Sequence, residues 1–309
     1  MGKGMSPERV AVLRPGALGD AILTLPVLES LRAASPGAHL VVAGSPAFRL
    51  AVDCGLASEA VPFDDARLLG LFAEGGASEV VAGCDVCLAY GRRPDPLLAA
   101  NLRRSGVAEA IEWPAMPEKG AHAADHLLGA VEAAGLPVAT RVPRLPPQPA
   151  WLEAARAWLG ALGLEEGFVA IHPGSGGQRK RWPVAHFAEV ARRAGQSVVW
   201  LLGPAEGGGR EARTIGEQAG TVAADLPLAT LAGLLACCRA CLGNDSGVSH
   251  LAAAVGAPTV ALFGPTDPGV WAPRGPHVVV VDGEGDLDGV TVDRVMAALD
   301  KARALTRPW

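Results

Sequence analysis

The chain has 309 residues, half of them hydrophobic and 19% charged, with a formal net charge of −5. That length suggests about two domains, the composition excludes a disordered chain, and 13 basic against 16 acidic residues in 1–150, with 14 against 16 in 151–309, exclude a general nucleic-acid binder. The apolar runs are far short of a bilayer span, the opening MGKGMSPERV lacks the apolar core of a signal peptide, and six cysteines do not make a disulfide scaffold, so a reducing cytoplasm is the expected compartment.

Short apolar runs alternate with amphipathic stretches. Arg9–Leu13 is β-branched, is followed by Pro-Gly and reads as a strand; Asp20–Arg32 has near-helical apolar spacing. Strands follow at His39–Ala43, Ala60–Val61 and Val86–Ala89, with helices at Ala47–Cys54, Pro96–Arg104 and Ala123–Ala134. Five prolines in residues 137–149 then forbid a helix or a central strand, and predict a linker and a domain boundary. Beyond it the alternation restarts. Strands are expected at Phe168–Ile171, Ser197–Leu202, Thr221–Ala223, Ala240–Gly243, Thr259–Phe263 and His277–Val281, and helices at Trp151–Leu162, Val184–Ala194, Gly208–Ala219, Leu228–Cys237, Val248–Val255 and Val292–Leu305. Two doubly wound α/β halves with parallel sheets are predicted, with a cleft between them and ligands outside the carboxyl ends of strands.

Three loops after strands carry the chemistry. In Arg14-Pro-Gly-Ala-Leu-Gly19-Asp20, the glycines permit a tight turn and Asp20 sits where a helix N-cap would. Its spacing is not the G-x-G-x-x-G of a dinucleotide site. In His172-Pro-Gly-Ser175-Gly-Gly-Gln-Arg-Lys180-Arg-Trp-Pro183, bare glycine amides beside three cations suit an anion, and Pro183 suits the first turn of the next helix; a solvated basic loop is the bland alternative. In Gly243-Asn-Asp245-Ser246-Gly247-Val-Ser-His250, a helix start after Ser-Gly is an anion site; simple capping and a satisfied helix histidine are the bland readings. Two such loops in one half suggest a diphosphate. No Asp-x-Asp pair stands beside them for a divalent metal, so Lys180 and helix ends must meet the charge. Cys84/Cys87 and Cys238/Cys241 have C-x-x-C spacing without histidine partners, and read as small buried residues.

At these loops, together with the helix His122-Ala-Ala-Asp-His-Leu-Leu and the run Gly256-Ala-Pro-Thr-Val-Ala-Leu-Phe-Gly264-Pro-Thr, the sequence resembles glycosyltransferase family 9, the ADP-heptose:lipopolysaccharide heptosyltransferases, from about residue 9 to the end. The resemblance implies a GT-B fold: two Rossmann-like doubly wound domains facing each other across a cleft. The acceptor would lie on an N-terminal domain at 1–145 and the nucleotide-sugar on a C-terminal domain at 146–309, and the last helix could return to the first domain. It implies inverting transfer without a metal or other cofactor, from ADP-heptose to a lipopolysaccharide inner-core hydroxyl. Carried over by residue, the catalytic base falls on Asp20. The donor phosphate and sugar ligands fall on Ser175, Lys180, Asp245, Ser246, Gly247 and His250, and a nucleoside contact falls on Glu206. Acceptor-side candidates are Gly19 and the cations Arg92, Arg93, Arg103 and Arg104, with an ordinary exposed face as their alternative. Implied partners are the nucleotide-sugar, a glycolipid or oligosaccharide acceptor and the cytoplasmic face of the inner membrane. Transfer of another sugar, a nucleotide-sugar epimerase and a non-catalytic sugar-nucleotide binder stay open as alternatives.

Overall fold

The computed structural model describes residues 7–117, 120–203 and 220–307. The chain divides into two compact units, Met1–Pro143 and Arg144–Trp309, and the division falls inside the proline-rich segment.

The first unit runs β1 (Arg9–Arg14), α1 (Leu18–Ala34), β2 (His39–Gly44), α2 (Arg49–Asp53), β3 (Glu59–Pro62), β4 (Val86–Gly91), α3 (Pro96–Arg104), β5 (Glu109–Pro114) and α4 (Ala123–Ala133). Its five strands are all parallel, in the order β3-β2-β1-β4-β5. Strand alternation sends Ala11, Leu13, Val41, Ala43, Cys87 and Ala89 into one core, against Leu68, Leu71 and Leu102. The strand order reverses between β1 and β4, and a doubly wound sheet opens a ligand crevice at such a point. β5 is a strand that the sequence reading did not place; its residues are half-buried at the sheet edge and include Glu109 and Glu112.

The second unit runs α5 (Pro149–Ala161), β6 (Val169–His172), α6 (Val184–Arg193), β7 (Val198–Leu202), β8 (Thr221–Ala224), α7 (Leu228–Cys237), β9 (Ala240–Asn244), α8 (Gly247–Ala254), β10 (Thr259–Phe263), α9 (Pro268–Trp271), β11 (Val278–Asp282) and α10 (Val292–Ala304). The six parallel strands are ordered β11-β10-β9-β6-β7-β8, with the reversal between β6 and β9. The expected helix at Gly208–Ala219 lies outside the described residues.

The last helix packs on the second sheet. Val295, Leu299 and Ala302 form an apolar stripe at helical spacing, and they share a core with Val260, Leu262 and Val281. Arg303 Nη2 donates to the Ala194 carbonyl at 2.9 Å, fastening α10 beside the end of α6. No described helix is long and apolar enough to cross a membrane.

Candidate active site

In the first unit, β1 ends at Arg14 and the chain turns through Pro15, Gly16 and Ala17 into α1. Asp20 is not the N-cap. Ala17 holds that position, and Asp20 lies in the first turn, its Oδ2 accepting the Ala17 N–H at 2.9 Å. A carboxylate there satisfies an amide that the helix cannot, and it complements the positive end of the helix dipole. Its Oδ1 accepts from Arg14 Nη2 at 2.7 Å; the Arg14 side chain is 6% exposed and that of Asp20 33%. Gly16 makes this possible. Its φ is +143°, and a Cβ there would stand 2.5 Å from Asp20 Oδ2. Gly19 is inside α1, one residue before Asp20.

At the strand-order reversal of this sheet lies a cavity of about 540 Å³, bounded by Pro15 after β1, by Arg92 and Arg93 after β4, and by Phe63, Phe72 and Trp113. Trp113 Nε1 donates to the His126 carbonyl at 2.8 Å, which ties β5 to α4. The structure separates the four arginines expected on the acceptor side. Arg92 and Arg93 line the cavity, whereas Arg103 and Arg104 occupy the last turn of α3. A helix advances about 1.5 Å per residue, so that turn lies roughly 12 Å along the axis from the carboxyl end of β4. There Ser105, the next residue, accepts the Gly83 amide, at the amino end of the sheet. A contiguous stretch of sequence thus spreads its cations over opposite ends of one helix.

In the second unit, two of the signalled loops follow β6 and β9, the adjacent strands at the reversal. Asp245 is their meeting point. Its Oδ2 accepts from Lys180 Nζ at 2.7 Å and from Thr266 Oγ1 at 2.7 Å, and its carbonyl accepts from Ser175 Oγ at 2.7 Å. Asp245 is 9% exposed at the side chain and Lys180 34%, so the pair joins a nearly sealed carboxylate to a partly exposed lysine. Arg181 donates twice to the Ser175 carbonyl, at 3.1 and 2.9 Å, and holds the glycine loop in shape. Ser246 is the N-cap of α8 and Gly247 its first residue, so the leading amides of this helix lack intrahelical acceptors. His250 lies one turn further on and is 5% exposed. Pro183 is the N-cap of α6, one place earlier than the sequence suggested. Glu206 lies outside the described residues.

Three residues with site contacts were not singled out from sequence. Asn244 is fully buried; its Oδ1 accepts the Trp182 N–H at 3.1 Å and its Nδ2 donates to the Pro173 carbonyl at 2.7 Å, which latches the two loops together. Thr266 adds the loop after β10 to the cluster. Arg14 pairs with Asp20. Each stood within a quoted motif, and the one available signal was its place at the carboxyl end of a strand.

The C-x-x-C cysteines are buried, and burial raises their thiol pKa values, that of Cys238 up to about 12. Such thiols stay protonated and inert at neutral pH. Among the described residues no group of three or more His, Cys, Asp or Glu is arranged to hold a metal ion.

With the fold and both loop clusters defined, the chain can be placed. The sequence profile of glycosyltransferase family 9 (heptosyltransferase) matches residues 82–287, and the chain belongs to that family. Lipopolysaccharide heptosyltransferase 1 of Pseudomonas aeruginosa is 44% identical over 94 residues, which is 29% of this chain and 26% of that protein. The aligned part is therefore about a quarter of that relative's length. Among solved structures, a family 9 glycosyl transferase from Veillonella parvula superposes with a TM-score of 0.79 at 22% identity, covering 96% of this chain and 97% of that one. The Escherichia coli ADP-heptose lps heptosyltransferase II superposes at 0.75 and 22% identity, covering 96% and 98%. The fold is GT-B, with two Rossmann-like domains.

Proposed function

We propose that this chain is an inverting glycosyltransferase that moves a heptosyl unit from ADP-heptose to a sugar hydroxyl of a lipopolysaccharide inner core. The observation that carries this reading is the convergence at Asp245 of the Lys180 ammonium, the Thr266 hydroxyl and the Ser175 hydroxyl, beside the α8 amino end. An ammonium has three donors and Asp245 takes one. The others, with the leading amides of α8, would receive the donor diphosphate and the charge it gains on leaving. His250 would border the sugar from the first turns of that helix.

Asp20 is the proposed general base. The acceptor oxygen attacks the anomeric carbon while its proton passes to the Asp20 carboxylate. The bond to the diphosphate breaks with its electron pair, ADP leaves, and the configuration inverts. Both Asp20 oxygens already accept one hydrogen bond, and each keeps a further lone pair for the acceptor hydroxyl. Support for the donor and the acceptor comes from family membership and from the names of the relatives, a lipopolysaccharide heptosyltransferase and an ADP-heptose heptosyltransferase. Metal independence and a place at the cytoplasmic face of the inner membrane are part of the same proposal.

Thermal unfolding with ADP-, UDP- and GDP-sugars tests it. A ligand at 100 times its Kd stabilises by about 2.7 kcal/mol, and the shift is expected with ADP-heptose. Heptosyl transfer should persist in EDTA. Preference for a UDP- or GDP-sugar would refute the donor assignment, and abolition by EDTA the metal-free one.

A further inference from the structure

We infer that Arg14 is the positioning residue for Asp20, fixing the carboxylate in the orientation from which it takes the acceptor proton; this rests on the proposed role of Asp20 as base. Arg14 is the last residue of β1, paired in register with Gly44 of β2. Alternation along the strand sends Ala11 and Leu13 into one core and turns Val10, Val12 and Arg14 to the opposite face. Val10 and Val12 are sealed there. Tyr90, at the carboxyl end of β4, is close enough for the Arg14 charge to act on its phenol. That phenol is kept neutral by burial and donates to the Leu127 carbonyl at 2.8 Å, so it offers Arg14 no counter-charge.

A guanidinium that is 6% exposed on an apolar sheet face needs a partner of opposite charge. Arg14 has one in Asp20 Oδ1, at 2.7 Å from Nη2, while Nη1 donates to the Pro15 carbonyl, also at 2.7 Å. Its Nε is buried without a hydrogen-bond partner, so the side chain is held by the two Nη contacts. The start of α1 does not need this arrangement. The Ala17 amide is satisfied by Oδ2 alone, and an apolar residue at position 14 would suit the sheet face without the desolvation that a buried ion pair costs. What Arg14 adds is a second, rigid hold on the carboxylate. With Oδ2 on a loop amide and Oδ1 on a cation rooted in β1, Asp20 has one orientation, and its remaining lone pairs have fixed directions.

Steady-state transfer kinetics of Arg14→Met, Arg14→Lys, Asp20→Asn and the double variant Arg14→Met/Asp20→Asn test the inference. Misplacing a catalytic group by about 1 Å costs on the order of 10²-fold, so Arg14→Met should lower kcat roughly 10- to 100-fold. The donor KM should stay unchanged, and Arg14→Lys should fall between Arg14→Met and the parent. In the Asp20→Asn background the Arg14→Met change should cost nothing further, because residues acting as one unit are not additive. An additive loss in the double variant, or an undiminished kcat in Arg14→Met, overturns the inference. Normal turnover in Asp20→Asn overturns the base assignment itself, and with it the positioning role. That outcome is distinguishable, since it concerns Asp20 alone. If circular dichroism shows Arg14→Met unfolded, Arg14→Lys keeps the charge and takes its place in the same cycle, with the same two overturning results.

Discussion

Lys180 and Asp245, 65 residues apart in the chain, meet at 2.7 Å at the carboxyl ends of adjacent parallel strands. The pair is asymmetric. The aspartate is nearly sealed and accepts a second bond from Thr266, whereas the lysine keeps about a third of its side chain exposed. A nearly sealed carboxylate paired with a partly exposed lysine makes a fixed cation at a strand-order reversal, which suits a ligand with concentrated negative charge.

Lys180→Met should therefore do two things. Turnover should fall by on the order of 10²–10³, as for loss of a donor to a leaving group that gains charge. Stability should also fall, by about 1–2 kcal/mol, between the near-zero worth of an exposed pair and the cost of stranding a buried charge. Thr266→Val keeps the ammonium and removes one neutral donor, so donor affinity should weaken only about tenfold. Calorimetric titration with ADP separates the two variants. Equal losses would mean that Thr266 contacts the ligand itself.

Asn244 carries no charge and is fully buried, and its amide holds both loops. Asn244→Leu leaves the Trp182 N–H and the Pro173 carbonyl without that partner in a buried setting, at about 1–3 kcal/mol each. A thermal melt should fall by roughly 2–4 °C per kcal/mol for a unit of this size. Donor affinity should weaken with it, because the two loops would no longer share a latch. A variant with a lowered melt and unchanged affinity would show that the loops hold their geometry independently.

The four arginines proposed for the acceptor side divide into two pairs with different expected roles. Arg92→Ser/Arg93→Ser should raise the acceptor KM and leave donor binding unchanged, because both residues line the cavity beside β4. Arg103→Ser/Arg104→Ser changes the far end of α3, where Arg104 Nη1 donates to Asn101 Oδ1 at 3.0 Å, and should leave the acceptor KM alone. Equal effects from both pairs would mean that net charge, not position, governs the acceptor.

How much of this was legible beforehand follows from where each partner sits in the chain. The alternation of strands and helices is local, and all three loops were found because glycine, proline and charge cluster within a few residues of a strand end. β5 escaped because an edge strand half-open to solvent tolerates Glu109 and Glu112, which dilute the apolar signal. The latch of Asn244 with Trp182 spans 62 positions, and the bond from Thr266 to Asp245 links separate strand ends. No local pattern encodes either. Arg14 and Asp20 are only six apart, but a strand-end arginine next to a proline reads as exposed until the sheet face beneath it is known to be apolar. Arg92 and Arg104 looked like one patch because sequence proximity hides the length of the helix between them.

Gly16→Ala tests the placement of Asp20 without touching either charged partner. The φ of +143° is one that an L residue rarely adopts, and the added Cβ would meet Asp20 Oδ2 at 2.5 Å. It would also stand 2.6 Å from Asp20 Cβ, which no side-chain rotation moves, so the turn and the start of α1 must shift, and the bonds of Asp20 to the Ala17 amide and to Arg14 are disturbed with them. Stability should drop by about 1–3 kcal/mol, from strain at a backbone conformation closed to alanine. The kcat should fall roughly 10- to 100-fold, as expected when a reacting group is displaced by about 1 Å. ADP affinity should not change, because every proposed diphosphate contact lies in the other unit. Gly160→Ala is the control. It lies within α5, and a Cβ there meets nothing within 4 Å, so it should raise stability by about 0.5–1 kcal/mol and leave transfer intact. If Gly16→Ala loses stability but keeps the parent kcat, the carboxylate orientation seen here is not the one chemistry uses. If it loses kcat and ADP affinity together, the turn after β1 communicates with the donor site, and the division of labour between the two units must be redrawn.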